Sequence, residues 1–230
     1  MRLIFAHAAG SSGDEWVQQR LAFGGAYEIA TPDLPGRGGS TEAPLRRIEE
    51  MAEWLQRAHD LTDAVLIGHS MGAAVALAVA ASRPDLRGLA LVGVALEPRV
   101  PEDLVERVAR DPQVAVERLA ANGFARGTRP LVVEKASAYL ARTDPAVLAA
   151  DFAATAAFDA TPYLARIRVP TLVLVGVEDR MTTVADAEAL TRGIRDAELG
   201  AIEGAGHMVM LERPREFNER LERFLRGLAT

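Results

Sequence analysis

The chain has 230 residues, 49% of them hydrophobic, which suits one α/β domain with a large buried core. Its formal net charge of -6 argues against nucleic acid as a partner, because nucleic-acid binding favours a basic face. The sequence has no cysteine, which excludes disulfides, thiolate metal sites and a cysteine nucleophile.

The first residues, Met1–His7, form a strand pattern that is too short for the core of a signal peptide. No apolar run approaches the roughly 20 residues that a membrane span needs. We therefore expect a cytoplasmic protein that has no membrane partner.

Strand and helix patterns alternate through the first part of the chain. Short apolar runs predict strands at 3–6, 27–30, 64–67 and within 86–94. Helical spacing predicts helices from Asp14, as N-cap, to about Phe23, over about 44–59 and over 71–81. This alternation predicts a doubly wound, mainly parallel sheet, in which ligands bind at the carboxyl ends of the strands. On the first helix, the predicted apolar side carries Trp16, Val17 and Leu21.

The alternation stops between residues 97 and 161, where only helical patterns occur. Helix starts are indicated by Asp111-Pro112, Asp144-Pro145, Pro101 and Pro130. Four short helices without a strand predict an inserted cap that closes a pocket over the sheet. The predicted division is therefore a core of residues 1–96 and 162–230 and a helical cap of residues 97–161.

The sheet pattern resumes after the helical block. An apolar run predicts a strand over 169–175, and a shorter one predicts the last strand over about 197–202. Between them, Thr183 and Asp186 resemble a capping box. Pro214 opens a final amphipathic helix whose apolar face carries Phe217, Leu221, Phe224, Leu225 and Leu228.

The most informative stretch joins the third strand to the next helix through Gly68-His69-Ser70-Met71-Gly72. This is the strand–turn–helix setting of a Gly-x-Ser-x-Gly nucleophile elbow. Glycine fits at positions 68 and 72 because a Cβ would collide with neighbouring backbone, and because glycine tolerates unusual dihedral angles. Ser70 is then exposed at a helix N-terminus, which stabilises negative charge.

A serine nucleophile needs a base, and the base needs an acid that orients it. Of the four histidines, His207 follows the last strand at the catalytic edge and is the best candidate. We expect His59 to be solvated, His69 to point elsewhere and His7 to be a structural hydrogen-bonding residue. Asp179, which follows the fifth strand, is preferred as the acid over its neighbour Glu178.

The oxyanion of the tetrahedral intermediate needs two backbone donors. One is predicted to be the N–H of Met71, directly after the nucleophile. The other is expected from the loop after the first strand, at Ala9 in preference to Ala8.

Taken together, the sequence resembles the α/β-hydrolase superfamily over nearly the whole chain. Four blocks carry the resemblance: His7-Ala8-Ala9-Gly10-Ser11-Ser12, Asp33-Leu34-Pro35-Gly36-Arg37-Gly38-Gly39-Ser40, Gly68-His69-Ser70-Met71-Gly72 and Gly204-Ala205-Gly206-His207. The resemblance implies a cap after the fourth strand and the chain order Ser70, Asp179, His207 for the triad. Many members have glycine where this chain has Ala8, and many have a hairpin before the first strand. This chain lacks the pattern of such a hairpin, so we expect a sheet of about six strands.

Several activities share this fold and triad. We predict a carboxylic ester hydrolase acting on a small-molecule acyl substrate, with a type II-like acyl thioesterase, a lactonase or a C–C bond hydrolase as alternatives. A ligand-sensing protein with an intact triad is the non-enzymatic alternative. No cofactor is expected, since no cluster has the spacing of metal ligands and Gly36-Arg37-Gly38-Gly39 does not open a helix after a strand.

Overall fold

The computed structural model describes residues 1–101 and 103–229, and within them six strands form one sheet. The strands are β1 (Arg2–Ala6), β2 (Glu28–Ala30), β3 (Ala64–His69), β4 (Gly88–Val92), β5 (Thr171–Gly176) and β6 (Ala197–Ile202). Their order is β2-β1-β3-β4-β5-β6, and every neighbouring pair is parallel. The predicted doubly wound sheet of about six strands is confirmed. The order reverses between β1 and β3, so a ligand crevice is expected at their carboxyl ends.

Eleven helices are found in the part of the chain that the structure describes. Those beside the sheet are α1 (Val17–Phe23), α2 (Ile48–Ala58), α3 (Met71–Ala80), α8 (Thr161–Leu164), α9 (Val184–Gly193), α10 (Val209–Glu212) and α11 (Pro214–Gly227). Those of the inserted block are α4 (Leu104–Arg110), α5 (Gln113–Asn122), α6 (Pro130–Leu140) and α7 (Pro145–Ala156).

Alternate strand residues enter different cores because successive side chains of a strand point to opposite faces. Ile4 and Leu66 pack in the core that contains α2, α3 and α9. Phe5 and Ile67 pack in the core that contains Trp16 and the apolar face of α11. Both faces of the parallel sheet are therefore covered, which explains why its strands read as continuous apolar runs.

The start of α1 differs from the prediction. Ser12, and not Asp14, is the N-cap, and a 3₁₀ helix over Gly13–Trp16 precedes the α-helix. A 3₁₀ turn has about three residues, so it rotates the face that the following helix presents to the core. Trp16 is buried as predicted, but the predicted apolar positions Val17 and Leu21 are exposed.

Other boundaries follow the proline and capping signals closely. Pro130 and Pro145 occupy the first positions of α6 and α7, and the Asp144 carboxylate caps α7. The capping box of Thr183 and Asp186 is present. Three predicted starts lie too early: α2 begins at Ile48 and not near residue 44, α4 begins at Leu104 and not at Pro101, and α5 begins one residue after Pro112.

The inserted helices have a small core of their own. Leu104 and Val108 of α4 pack with residues of α5, α6 and α7, including Val116, Leu140 and Leu148. Residues of α5, α6 and α7 line a cavity together with residues that follow β1 and β3. The exact division of the chain at residues 97 and 161 stays a prediction.

A fully buried ion pair joins the cap to the sheet loops. Arg37, in the loop after β2, donates from Nε to Asp151 Oδ1 on α7 over 3.0 Å, and its Nη2 also contacts that oxygen. The other Asp151 oxygen accepts the Gly10 backbone N–H at 2.8 Å. Both side chains have no exposed surface. One carboxylate therefore links α7 to the loops after β1 and β2.

We predict that Asp151→Ala lowers the free energy of unfolding by about 3–5 kcal/mol, because it leaves the Arg37 charge buried without a partner. Urea unfolding at neutral pH measures the loss. Replacing both partners, as Arg37→Met with Asp151→Leu, is expected to restore part of the stability.

Glu219→Ala is the matched control, since Glu219 faces Arg215 at 3.6 Å on the exposed side of α11. Its effect should be small, as for most surface pairs. Equal losses in Asp151→Ala and Glu219→Ala would contradict the role of the buried pair.

Candidate active site

The nucleophile elbow is built from two close approaches of α3, one to β3 and one to the end of β1. A Cβ on Gly68 would lie 2.2 Å from the carbonyl oxygen of Gly72, and a Cβ on Gly72 would lie 2.3 Å from that of Ala6. The predicted collisions are therefore present. The unusual dihedral angles, however, occur at Ser70 itself, with φ of 52° and ψ of -116°, and neither glycine has a positive φ. Strain of this kind is typical of functional turns.

Asp179 and His207 are in direct contact at the ends of β5 and β6. His207 Nδ1 donates to Asp179 Oδ2 at 2.8 Å. The Thr182 hydroxyl donates to the same oxygen at 2.7 Å, and the backbone N–H groups of Met181 and Thr182 donate to Oδ1 at 2.7 and 2.9 Å. The carboxylate is thus held in one orientation, and it fixes the proton of His207 on Nδ1. Glu178 points away and accepts the Arg126 backbone N–H at 3.1 Å.

The two partners change each other's acidity. Burial disfavours the charged form of His207, but the charge and hydrogen bond of Asp179 outweigh it and raise the pKa of His207 above its ordinary value. The more distant Glu15 and Glu212 act in the same direction. Burial likewise opposes ionisation of Asp179, yet His207 and Thr182 hold the pKa of that carboxyl below its ordinary value. An imidazolium at position 207 is therefore stabilised.

Ser70 and His207 line the same cavity, and Ser70 is half-buried there. Within residues 1–101 and 103–229, Ser70 Oγ makes no hydrogen bond, so the serine and the base are near each other but not bonded. Catalytic hydrogen bonds often form only when substrate binds. The structure thus joins two of the three predicted triad residues directly and brings the third to the same cavity.

The backbone N–H groups predicted to hold the oxyanion, those of Ala9 and Met71, differ from the N–H of Ala8 in their hydrogen bonding. The Ala8 N–H donates to Glu15 Oε2 at 3.0 Å, so it is already used. Among the described residues, neither the Ala9 nor the Met71 N–H has a hydrogen-bond partner, and Ala9 lines the cavity beside Ser70. Ala8 has no positive φ, so alanine in place of glycine causes no backbone strain; the left-handed residue of this loop is Gly10, with φ of 66°.

Glu15 and His69 form a second buried carboxylate–imidazole pair, which the sequence analysis missed. Glu15 Oε1 lies 2.5 Å from His69 Nδ1, and His69 Nε2 donates to the His207 carbonyl oxygen at 3.0 Å. Burial opposes ionisation of Glu15, but the charge and hydrogen bond of His69 outweigh it and lower its pKa. Together with the Ala8 bond, the pair ties the loop after β1, the elbow and the base loop to one another.

The other two histidines are outside the reacting centre. His7 Nδ1 donates to the Ala8 carbonyl at 2.8 Å, and its Nε2 accepts the Leu34 N–H at 3.1 Å, which confirms a structural role. His59 was expected to be solvated, but this is wrong: its ring is half-buried against Trp54, with ring centroids 6.0 Å apart.

The loop after α5 supports the base. The carbonyl oxygen of Gly123 accepts the backbone N–H groups of His207 and Met208, at 3.0 and 3.2 Å. Glu212 adds a second connection, because Oε1 accepts the Gly206 N–H at 2.9 Å and Oε2 accepts the Ala125 N–H at 2.8 Å. The cap therefore contacts the loop that carries His207 through hydrogen bonds as well as through packing.

The cavity above Ser70 has a volume of about 420 Å³. Its floor is formed by the loop after β1, the elbow and the His207 loop, and its walls by α5, α6 and α7. Apolar lining residues include Ala115, Val132, Leu140, Phe152 and Leu211. A small organic molecule fits a cavity of this size and character.

No group of three or more His, Asp or Glu side chains within 1–101 and 103–229 is placed to hold a metal ion. No helix in those ranges is long and apolar enough to cross a membrane. The expected cytoplasmic location stays a prediction.

Comparison with known proteins identifies the family of the chain. A model described as the alpha/beta hydrolase family matches residues 3–220, and the chain belongs to that family. The relatives and solved structures that it resembles include hydrolases, esterases and lactonases, which supports a hydrolase.

A 3-oxoadipate enol-lactonase 2 from Acinetobacter baylyi is 30% identical over 233 residues, covering 96% of this chain and 86% of the relative. A pimeloyl-[acyl-carrier protein] methyl ester esterase from Vibrio cholerae is 27% identical over 240 residues, covering 96% of this chain and 93% of the relative. The solved structure of a thermophilic esterase from Thermogutta terrifontis matches with a TM-score of 0.91 and 28% identity, covering 100% of this chain and 91% of that one.

We predict that Glu15→Ala lowers the free energy of unfolding by about 3 kcal/mol, because it leaves His69 and the Ala8 N–H without their buried partner. Urea unfolding at neutral pH measures the loss. Asp14→Ala is the control: Asp14 is the neighbouring acid, but it is exposed and pairs with Arg20 at 3.1 Å. If the two variants lose equal stability, the buried pair does not hold the three segments together.

Proposed function

We propose that the protein is a serine hydrolase that cleaves a small-molecule carboxylic ester through an acyl-enzyme. The observation that carries this proposal is the His207–Asp179 hydrogen bond of 2.8 Å beside a cavity that also contains Ser70 on its strained elbow. In this proposal, Ser70 is the nucleophile, His207 the general base and Asp179 the residue that orients the base.

In the first half of the reaction, Nε2 of His207 accepts the proton of the Ser70 hydroxyl as the oxygen attacks the acyl carbon. Nε2 is the available nitrogen because Nδ1 donates to Asp179. The oxyanion of the tetrahedral intermediate is held by the N–H groups of Ala9 and Met71. Both donors are preorganised, since neither has to break a bond within residues 1–101 and 103–229.

Collapse of the intermediate breaks the bond to the alcohol, which leaves with the proton from His207. Water then attacks the acyl-enzyme as His207 accepts a proton from it; collapse of this second intermediate breaks the bond to Ser70 Oγ, which takes the proton back from His207, and the carboxylic acid is released. Asp179 stabilises the imidazolium that forms in both halves. The N-terminus of α3, at Met71, adds a favourable dipole beside the developing negative charge.

The preference for an ester is supported by two of the relatives. One is a methyl ester esterase, another is an enol-lactonase, and a lactone is a cyclic ester. Lactone hydrolysis is therefore the second candidate: the attack and the oxyanion site are the same, and the leaving alcohol stays attached to the acyl group. Thioester and C–C cleavage remain alternatives with less support.

The proposal is tested by intact-protein mass spectrometry after treatment with a fluorophosphonate probe. A single adduct in the wild-type protein, absent in Ser70→Ala, is expected. With 4-nitrophenyl esters, Ser70→Ala should reduce kcat by a factor on the order of 10⁴–10⁶. Acyl-thioesters and lactones assayed beside them identify the substrate class. No adduct on folded wild-type protein would instead favour a ligand-sensing protein.

A pH profile tests the assigned base. Because His207 must be neutral to accept a proton and its pKa is raised, kcat/KM for 4-nitrophenyl acetate should fall below a midpoint above the ordinary imidazole value of about 6.5. Asp179→Asn should reduce kcat by about 10⁴-fold. It should also move the midpoint of the residual activity to lower pH, since the charge that favours the imidazolium is removed.

Glu178→Gln is the matched control for this profile, because Glu178 is adjacent in sequence but bonds to the Arg126 backbone. Its midpoint should equal that of the wild-type protein. A midpoint that is unchanged in Asp179→Asn would assign the titration to a group other than His207.

A further inference from the structure

Two cap helices present positive charge to the active-site cavity. On α5 the lining residues are Ala115, Arg118 and Leu119, which share one helical face at the i, i+3 and i+4 positions. On α6, Lys135 lines the cavity on the same face as Val132, three residues earlier. Arg129, the N-cap of α6, lines it as well.

The acidic lining residues do not neutralise these charges. The two acids that line the cavity are Asp14 and Glu15. Asp14 pairs with Arg20 at 3.1 Å, and Glu15 lies 2.5 Å from His69. In contrast, no ion pair to Arg118, Arg129 or Lys135 exists within residues 1–101 and 103–229. Hence, in a chain with a net charge of -6, three cations line this cavity without an ion-pair partner among the described residues.

Arg118 is the most constrained of the three. It is half-buried, its Nε is shielded from solvent, and that Nε has no hydrogen-bond partner among the described residues. Its Nη2 donates only a long bond, 3.3 Å, to the Arg99 carbonyl. The guanidinium therefore has unused donor capacity, which an acceptor supplied by a ligand in the cavity can take up. Arg129 and Lys135 are exposed and lie at the solvent side of the same cavity.

We infer that the cavity binds ester substrates that also carry a carboxylate, with Arg118 as its main contact and Lys135 and Arg129 as supporting charges. This inference rests on the proposed function and specifies the substrate class of that same site. The ester group lies at Ser70 on the sheet side, and the carboxylate lies at α5 and α6 on the cap side.

The shape and polarity of the cavity favour a carboxylate over a phosphate. A guanidinium presents a planar fork that matches the two oxygens of a carboxylate. A phosphate dianion exposes more oxygens and needs more donors, whereas most of the neighbouring lining on α5 and α6 is apolar, including Leu119, Val132 and Leu140.

Matched diesters and half-esters test the inference. The monomethyl and dimethyl esters of succinate, glutarate and adipate form three pairs, and the members of each pair differ only in one carboxylate. The three chain lengths cover different distances between the ester and the carboxylate. Affinities are measured by calorimetric titration of Ser70→Ala, so the result does not depend on turnover. For at least one length, the monomethyl ester should bind about tenfold more tightly than the dimethyl ester. Raising the ionic strength should reduce this ratio.

Adding Arg118→Gln to Ser70→Ala should reduce the ratio of monomethyl-ester to dimethyl-ester affinity by about tenfold. Adding Lys135→Gln instead should reduce this ratio by a smaller factor, because Lys135 is more exposed. Arg126→Gln is the matched control: Arg126 is an exposed arginine of the loop between α5 and α6, and it does not line the cavity. It should leave the ratio unchanged.

Equal or weaker binding of all three monomethyl esters would overturn the inference, as would a ratio that Arg118→Gln does not alter. Either result would leave the proposed ester hydrolysis intact if Ser70 still forms the fluorophosphonate adduct. Conversely, selective binding of the half-esters without an adduct would support the carboxylate site and reject the proposed catalysis.

Discussion

α3 lies so close to β3 and to the end of β1 that neither Gly68 nor Gly72 has room for a side chain, and the rest of the site depends on these two contacts. The chain can turn from strand to helix in so little space only with Ser70 at a positive φ. That geometry places the hydroxyl at the helix N-terminus and leaves the Met71 N–H without an internal partner among the described residues. Packing, strain and unsatisfied hydrogen bonding at the elbow thus have one common cause.

Two buried charge pairs fix the loops around this elbow. The Glu15–His69 pair bonds to the loop after β1 through the Ala8 N–H and to the loop of His207 through the His207 carbonyl oxygen. The Arg37–Asp151 pair bonds the loop after β1 to α7. Such pairs add little net stability compared with apolar packing, but breaking one is costly. Their effect is to restrict each loop to one arrangement, which suits a site whose donors must be in place before the substrate reacts.

The sequence contains strong signals for the sheet and the elbow, because buried strands and a glycine-flanked turn leave local patterns. The charged pairs leave much weaker ones. Glu15 resembles an ordinary acid in a first helical turn, and its partner is 54 residues away. Asp151 could have been noticed as the single charged residue of α7, but Arg37 is 114 residues distant. The prediction that Val17 and Leu21 lie on the buried side of α1 is wrong because the preceding 3₁₀ turn rotates the face that this helix presents to the core.

The bonds from Gly123 to His207 and Met208 also bear on how such enzymes diversify. A cap is often regarded as an interchangeable module that sets specificity on a constant catalytic core. Here Gly123, the C-cap of α5, also holds the backbone of His207, the proposed base, so exchanging this segment for that of a relative would disturb the loop of His207 unless the new segment supplied an equivalent carbonyl. In the proposed mechanism, recognition and catalysis are therefore coupled through the backbone of Gly123.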